Sequence, residues 1–254
     1  MARFFAPPNA WRGDMVSLDA AESRHACEVL RLKSGDSLSV FDGAGRIAAA
    51  TLLAAHRQGA DLRLESVSTE PRAAVELTLV QAVPKGKLME WILEKATELG
   101  ATRVVPVLTE RTVVQVDSGD ALRKQEKWQR VVLEACKQCG QNWLPRIDAP
   151  VSLKEFLRGE RPAPCTVFGS LYPGAVSFPE ALADAGMASG GSDPTGAMAL
   201  IGPEGDFTET EARDLMLWGA RPVTFGPIVL RAETAAFYSL SVLRHSLRGI
   251  PRAQ

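Results

Sequence analysis

Two glycine-proline pairs mark the part of this 254-residue chain in which chemistry is most readily placed. The segment A-L-I-G-P-E-G-D-F ends an apolar run at Gly202, and V-T-F-G-P-I-V-L-R-A-E-T ends a second apolar run close to Gly226. Glycine has no side chain, so the backbone at these points can approach a bound molecule closely. Arg231 and Glu233 follow where a helix is expected to begin. The stretch therefore combines two loops able to hold a ligand with charged groups beside the second one.

The elements around these loops predict a crevice. Each apolar run has the length of a strand and stops at a breaker. Between the runs, Thr208-Glu209-Thr210-Glu211 is a capping box that begins a helix. Loops that follow parallel strands of an open α/β sheet form the usual ligand-binding crevice of such sheets. Ordinary turns are the alternative interpretation, and the absence of a Walker lysine and of G-x-S-x-G argues against phosphate-loop and serine-hydrolase chemistry.

The rhythm of the chain predicts two domains. Residues 1–71 hold short apolar runs separated by turns, which predict a small β-barrel with one helix from Asp19 to Leu30. Over 72–254, strands alternate with longer helices, which predicts an α/β domain with a mostly parallel sheet. The strands expected there are 75–83, 103–108 and 165–171, and the helices are 88–99, 121–139 and 232–247. A glycine- and serine-rich loop is expected at 186–196.

The composition is typical of a soluble globular protein. The chain is 46% hydrophobic and 23% charged, with a net charge of −1, so nucleic-acid binding requires a local basic patch. The first residues have no apolar core of a signal peptide, and no run of about 18 apolar residues occurs, so a cytoplasmic protein without membrane contact is expected. Four cysteines are too few for a disulfide framework.

Two motifs suggest other chemistry, but each has a stronger structural interpretation. Gly43 to Ala48 matches the dinucleotide fingerprint G-x-G-x-x-A, with Glu65 downstream, yet Asp42-Gly43 predicts a hairpin where the fingerprint needs a helix. Cys136 and Cys139 form a C-x-x-C near a helix end, without further ligands at zinc-binding spacing. Structural cysteines and no metal are therefore expected.

Several motifs together resemble the RsmE family. The pieces L-I-G-P-E-G-D-F, F-G-P-I-V-L-R-A-E-T-A, E-K-A-T-E-L-G and E-A-C-K-Q-C-G-Q-N-W-L-P span nearly the whole chain. Members methylate uracil N3 in 16S rRNA of the small ribosomal subunit. The resemblance implies a SPOUT-type α/β fold with a C-terminal trefoil knot, a PUA-like β-barrel that docks RNA, S-adenosylmethionine as cofactor, and a homodimer with active sites near its interface.

The resemblance also assigns residues to the cofactor pocket. They are Leu171, Ile201, Gly202, Pro203, Glu204, Gly205, Phe225, Gly226, Ile228, Val229, Leu230 and Thr234. The chain departs from the family pattern at Ile228, where arginine is usual, and at Asp206, where a second glycine is common.

Uracil chemistry suggests the catalytic groups. Loss of the N3 proton spreads negative charge onto O2 and O4, so Arg231 is the first choice as the stabilising cation. Glu204 and Glu233 are unranked candidates for accepting the proton. Arg231 binding a phosphate or tying the loops together is the alternative.

A basic set predicts contacts with RNA. Its members are Lys85, Lys87, Lys95, Arg111, Arg123, Lys127 and Arg130. The structural alternatives are a helix face that is merely solvated, a Lys95–Glu98 pair and a Glu98–Arg111 pair.

Two other functions compete with uracil methylation. One is ribose 2′-O methylation by another SPOUT enzyme. The other is a non-catalytic RNA-binding assembly factor, which the unusual Ile228 leaves open.

Overall fold

A computed structural model describes residues 1–56, 58–114, 118–187 and 196–247, and every structural statement below concerns those residues. Most of the expected loop at 186–196 lies outside them. The chain divides into two compact units. The N-terminal unit is Met1–Arg72 with Leu133–Leu144, and the C-terminal unit is Ala73–Val132 with Pro145–Gln254. The sequence alone placed residues 133–144 in the second domain.

The N-terminal unit contains a six-stranded mixed sheet. Its strands are β1 (Arg3–Phe5), β2 (Trp11–Arg12), β3 (Met15–Asp19), β4 (Ser37–Phe41), β5 (Arg46–His56) and β6 (Gly59–Thr69). The spatial order is β1-β4-β5-β6-β3-β2, and only β1 and β4 run parallel. Helix α1 (Ala20–Arg24) continues as a π-helical turn, His25–Val29. The carboxylate of Asp19 caps α1, as the sequence predicts, by accepting from the backbone N–H of Ala21 and Glu22.

The segment that mimics a dinucleotide fingerprint is a β-hairpin. Strands β4 and β5 pair antiparallel on either side of it. Gly43 and Gly45 have φ angles of +73° and +96°, which glycine adopts without strain. The carboxylate of Asp42 accepts from the backbone N–H of Ala44 at 2.7 Å and of Arg46 at 2.9 Å. A strand rather than a helix follows the glycines, so the hairpin interpretation is correct.

The C-terminal unit is built on an eight-stranded sheet in which every pairing is parallel. Its strands are β7 (Glu76–Ala82), β8 (Arg103–Leu108), β9 (Arg146–Ile147), β10 (Val151–Ser152), β11 (Cys165–Gly169), β12 (Val176–Ser177), β13 (Gly196–Ile201) and β14 (Arg221–Thr224). The order is β10-β8-β7-β13-β11-β14-β12, and β9 also pairs with β8. Strands β11 and β13 are buried along their whole length, which explains why they read as continuous apolar runs.

Helices connect these strands. They are α2 (Leu88–Glu98), α3 (Ser118–Cys139), α4 (Leu153–Gly159), α5 (Phe178–Asp184), α6 (Glu209–Trp218) and α7 (Ala232–Ser246). The capping box at Thr208 begins α6, as predicted. The short helices α4 and α5 were missed, although each starts with a capping box of its own, Ser152 with Glu155 and Ser177 with Glu180. The Ser-x-x-Glu pattern could therefore have identified both helices. Helices this short contain too few apolar residues to show a helical period as well.

The two faces of the parallel sheet carry different helices. Helices α4 and α6 cover one face, where Phe156 and Leu215 join a core with Phe168, Leu200 and Phe207. Helix α7 packs against β7, β13 and α2. Two sheets of this kind, one mixed and one parallel with helices, agree with the predicted fold class. The trefoil knot stays a prediction.

The cysteines of the C-x-x-C motif differ in environment. Burial raises the pKa of the Cys136 thiol to about 12, and burial raises the pKa of the Cys165 thiol to about 11. Cys139 is exposed. Because the thiolate is the reactive form, a buried thiol with so high a pKa is chemically inert near neutral pH.

We therefore expect alkylation to separate the two cysteines of the motif. At pH 8, iodoacetamide should modify Cys139 in the folded protein and leave Cys136 and Cys165 unmodified, because less than about one part in a thousand of either thiol is ionised. Peptide mass analysis before and after denaturation measures this difference. Equal modification of Cys136 and Cys139 in the folded protein would contradict a structural role for the motif.

Candidate active site

Three neighbouring parallel strands end at one edge of the C-terminal sheet. Strand β11 lies between β13 and β14, with Phe168 opposite Leu200 on one side and Pro222 on the other. Their following segments are here called the Gly202 loop (residues 202–207), the Leu171 loop (170–175) and the Gly226 loop (225–231). Because parallel strands place their carboxyl ends at the same edge, these loops converge. A cavity of about 400 Å³ lies between them and the first turn of α7.

Most of the residues assigned to the pocket line this cavity. They are Leu171, Ile201, Gly202, Pro203, Glu204, Phe225, Gly226, Ile228, Val229 and Leu230, and the catalytic candidates Arg231 and Glu233 line the cavity as well. Gly205 and Thr234 are not among the lining residues. Gly205 faces the side chain of Arg111, and Thr234 is exposed on α7. Their predicted contact with a cofactor gains no support from this cavity.

Further lining residues were not singled out from the sequence. They are Leu88, Gly169, Ser170, Asp206, Thr224, Ala232 and Ala235. Five of them, Ser170, Asp206, Thr224, Ala232 and Ala235, directly adjoin residues that were assigned to the pocket or to catalysis, so wider loop boundaries would have included them. Asp206 stands inside the quoted L-I-G-P-E-G-D-F motif. Leu88 begins α2, far away in sequence, and only the packing of the strands brings it to the cavity.

The Gly202 loop is held by its own backbone and by Asp206. The N–H of Asp206 donates to the carbonyl oxygen of Pro203 at 2.9 Å, which closes a tight turn. Asp206 has a φ of +62°, a left-handed conformation that aspartate tolerates better than most residues. A Cβ at Gly202 would lie 3.1 Å from the backbone nitrogen of Phe207 and 3.2 Å from Oδ1 of Asp206. A Cβ at 202 would therefore fit only if the turn that folds back over it shifted by a few tenths of an ångström.

Two side chains hold the same loop from outside the cavity. Arg111 donates from Nη1 to the carbonyl oxygens of Gly205 and Phe207, and the hydroxyl of Tyr172 donates to the same Phe207 oxygen at 3.0 Å. Arg111 was expected to contact RNA. The structure places it against the Gly202 loop, and its contact with RNA stays a prediction. The alternative Glu98–Arg111 pair is not observed among the described contacts, in which Glu98 accepts from Lys95 Nζ at 2.8 Å.

An aromatic cluster positions the Gly226 loop. The ring of Phe225 lies 6.1 Å from that of Phe178 and 5.7 Å from that of Tyr238, measured between centroids. Gly226 has a φ of +104°, and its N–H donates to Oγ1 of Thr224 at 3.3 Å. The loop then leaves Ile228 69% exposed. An arginine-to-isoleucine difference at 228 thus places an apolar side chain at the solvent-facing rim.

Three charged residues border the cavity with different partners. Arg231 is the N-cap residue of α7 and is exposed, and its guanidinium makes no hydrogen bond or ion pair within the described part of the chain. Glu233, in the first turn of α7, is only 8% exposed, and its carboxylate likewise accepts no hydrogen bond from the described residues. Glu204 is exposed and accepts from the backbone N–H of Lys85 at 3.4 Å. An unpaired cation and an unpaired buried carboxylate therefore adjoin one cavity.

The other basic residues are spread over α2, α3 and the loop before α2. Lys85 and Lys87 are exposed at that loop. Lys95 bonds to Glu94 and Glu98, whose hydrogen bonds raise its pKa, and Lys127 pairs with Glu90. Arg123 lies 3.8 Å from Asp120, and Arg130 donates to the carbonyl oxygen of Glu126 at 3.3 Å. These contacts leave the RNA role of each residue a prediction.

Two further properties bear on the class of site. Within the described ranges, no helix is both long and apolar enough to cross a membrane. No group of three or more histidine, cysteine, aspartate or glutamate side chains is arranged to hold a metal ion in the same part of the chain.

Comparison with known proteins gives the site its context. Residues 71–244 match the family model of the RNA methyltransferase domain, and residues 18–65 match the model of the RNA methyltransferase PUA domain. Ribosomal RNA small subunit methyltransferase E of Synechocystis is 34% identical over 226 residues, covering 89% of this chain and 71% of that protein. The protein of the same name from Bacillus subtilis is 31% identical over 240 residues, covering 92% of each.

Solved structures agree with the family models. A methyltransferase from Legionella pneumophila in complex with S-adenosylmethionine aligns with a TM-score of 0.85 at 29% identity, over 97% of this chain and 98% of that one. Ribosomal RNA small subunit methyltransferase E from Neisseria gonorrhoeae, bound to S-adenosylmethionine, gives a TM-score of 0.81 at 29% identity, over 96% and 97%.

A parallel sheet with a loop-lined cavity, preceded by a PUA-type unit, defines this protein as an RNA methyltransferase. Within that class, the chain belongs to the ribosomal RNA small subunit methyltransferase E family.

Gly169 lies close to the ring of Phe225, so its substitution tests the packing around the cavity. A Cβ at Gly169 would lie 2.7 Å from Cε2 of Phe225, so the ring must move. We expect Gly169→Ala to lower the free energy of unfolding by about 1–3 kcal/mol, as overpacking does. Gly159→Ala is the control, since nothing lies within 4 Å of a Cβ there and no left-handed φ is involved. Chemical denaturation measures both, and equal stability of the two variants would contradict the described packing.

Proposed function

We propose that this protein transfers the methyl group of S-adenosylmethionine to N3 of a uridine in 16S rRNA of the small ribosomal subunit. The observation that carries the proposal is the cavity at the shared edge of β13, β11 and β14, with Arg231 and Glu233 at its border. The relatives named for small-subunit rRNA methylation support the substrate class.

The cavity suits a nucleoside-sized cofactor. Its volume of about 400 Å³ lies within the range of small-molecule sites. Glycines at 169, 202 and 226 leave backbone rather than side chains along its walls, and Leu171, Val229 and Leu230 add apolar contact. When bound, S-adenosylmethionine supplies a methyl group on a sulfonium, which already activates it for transfer. The protein's main contribution is then to hold donor and acceptor in line.

The acceptor atom sets requirements that the charged residues meet. N3 of uracil carries a proton at neutral pH and lies on the pairing edge, so the base must be unpaired or turned out of its stack. Arg231 stabilises the negative charge that develops on O2 and O4 as that proton leaves. Its guanidinium is free to do so, because no described residue pairs with it. N3 then forms its bond to the methyl carbon as the bond from that carbon to sulfur breaks.

The structure favours one carboxylate as the proton acceptor. Glu233 is buried at the cavity wall without a hydrogen-bond partner among the described residues, whereas Glu204 is exposed and already accepts from the backbone of Lys85. We therefore rank Glu233 ahead of Glu204 in this role.

The assembly and the RNA contacts are part of the same proposal. We include a homodimer in the proposal because the family resemblance implies one. The PUA-type unit and the basic residues of α2 and α3 serve to dock the RNA of a cytoplasmic ribosomal subunit. The knot expected from the family also belongs here.

Substitution of Arg231 tests the catalytic assignment. We expect Arg231→Ala to lower kcat by about a hundredfold or more, the usual effect of removing a group that stabilises developing charge. The affinity for S-adenosylmethionine should change by less than about threefold, since the charge develops on the base. Methyl transfer to reconstituted small subunits and calorimetry measure the two quantities.

A matched control is available for that variant. Arg221 pairs with Asp184 at the surface at 2.9 Å and does not line the cavity, so Arg221→Ala should keep the wild-type rate. An unchanged rate in Arg231→Ala with intact cofactor binding contradicts the role of Arg231. Wild-type protein that neither binds S-adenosylmethionine nor methylates rRNA contradicts the function itself, and nucleoside mass analysis distinguishes a base methyl from a ribose methyl.

The ranking of the carboxylates makes a separate prediction. Glu233→Gln should lower kcat by about a hundredfold or more at neutral pH, as loss of a general base does, and Glu204→Gln should stay within about tenfold of the wild type. The kcat of each variant is measured between pH 6 and 9. If Glu204→Gln loses the greater share of activity, the ranking is wrong.

A further inference from the structure

Asp206 joins two of the three loops that line the cavity. Its Oδ2 accepts from the backbone N–H of Leu171 at 3.1 Å, and its Oδ1 accepts from the backbone N–H of Phe207 at 2.8 Å. Leu171 belongs to the loop after β11, and Phe207 belongs to the loop after β13. One carboxylate therefore spans the gap between the ends of two adjacent strands.

The backbone at Asp206 shows that this arrangement has a cost. A φ of +62° is one that glycine adopts freely and that a residue with a Cβ adopts only with strain. The side chain is thus unnecessary for the turn itself, and its two hydrogen bonds are what it adds to this chain.

The neighbours of Asp206 are fitted to its carboxylate. Oδ1 lies 3.2 Å from the place of a Cβ on Gly202, so a side chain at 202 would crowd the carboxylate, which would have to move by a few tenths of an ångström. Phe207, the next residue, is 1% exposed and packs edge-on against Phe168 of β11, at 6.1 Å between ring centroids. The loop is anchored in the core on one side of Asp206 and tied to the Leu171 loop on the other. Asp206 itself lines the cavity.

We propose that Asp206 is a positioning residue for the cofactor, setting the separation of the Gly202 and Leu171 loops so that the cavity is already shaped before the ligand binds. This inference rests on the proposed function. Holding a loop in its bound conformation improves affinity, because less conformational freedom is lost on binding. Asp206 acts through the loops rather than on the base, so it affects binding of the cofactor more than the rate of transfer.

Two substitutions separate the hydrogen bonds from the turn. Asp206→Gly suits the left-handed φ and removes both bonds. Asp206→Asn keeps the shape, tolerates the same φ, and leaves a single carbonyl oxygen to accept. We expect the dissociation constant and the KM for S-adenosylmethionine to rise about tenfold in Asp206→Gly and less in Asp206→Asn, since hydrogen bonds to charged groups have about this effect. The kcat at saturating cofactor should stay within about twofold.

Arg221→Ala is the control. It removes a surface ion pair with Asp184 that joins none of the three loops, and Arg221 does not line the cavity. We expect its KM for S-adenosylmethionine to stay within about twofold of the wild type. Amide hydrogen exchange at Leu171 without cofactor provides a readout apart from activity, and it should quicken in both Asp206 variants and stay unchanged in Arg221→Ala.

The outcomes separate this inference from the proposed function. Wild-type protein that fails to bind S-adenosylmethionine overturns the function and this inference with it. Wild-type protein that binds, together with an Asp206→Gly variant of unchanged dissociation constant, overturns the positioning role alone. A fall of kcat with unchanged KM, or an equal rise of KM in Arg221→Ala, also overturns it. If Asp206→Gly does not fold, the Asp206→Asn values decide by the same criteria.

Discussion

The site depends on the parallel pairing of β11 between β13 and β14. In sequence, β13 and β14 are joined by α6, but in space β11 lies between them. This order brings the ends of three strands together and forces their loops to share one edge. Without β11 between them, the two glycine-proline loops would be separate turns. The register that places Phe168 opposite both Leu200 and Pro222 is therefore what creates the cavity.

Close approach of backbone explains the residues that this edge requires. Gly169 leaves room for the ring of Phe225, and Gly202 leaves room for the turn that ends at Asp206. Large aromatic rings then hold the loops in place. Phe207 anchors one loop in the core, and Phe225 anchors another against Phe178 and Tyr238. The walls are thus shaped by side-chain packing behind them, and glycine backbone together with apolar side chains faces the cavity.

Three arginine residues of the C-terminal unit differ in their hydrogen-bond partners, and this difference distinguishes structural cations from a functional one. Arg103 donates hydrogen bonds to Asp148 and Glu160. Both bonds raise the pKa of Arg103, and the bond to Glu160 has the larger effect. Arg111 donates to the carbonyl oxygens of the Gly202 loop. Arg231 has no such partner in the described chain and stands at the border of the cavity. A guanidinium left unpaired in such a place remains available to a substrate, which supports the role proposed for it.

The sequence by itself determined the kinds of element and the motifs they carry. The cap at Asp19, the hairpin at Asp42 and the start of α6 at Thr208 are local, because each depends on hydrogen bonds between residues a few positions apart. The two glycine-proline loops were recognisable for the same reason. Short helices such as α4 escaped notice because their apolar residues are too few to show a period.

The tertiary structure alone decided what those elements build together. It brought Leu88 to the cavity, left Gly205 and Thr234 outside the lining, and placed Arg111 against the Gly202 loop. It also joined Asp206 to Leu171 across two strands. The physical reason is that these relations depend on strand order, register and packing, which pair residues distant in sequence, whereas capping and turn signals report only on a residue's own neighbours along the chain.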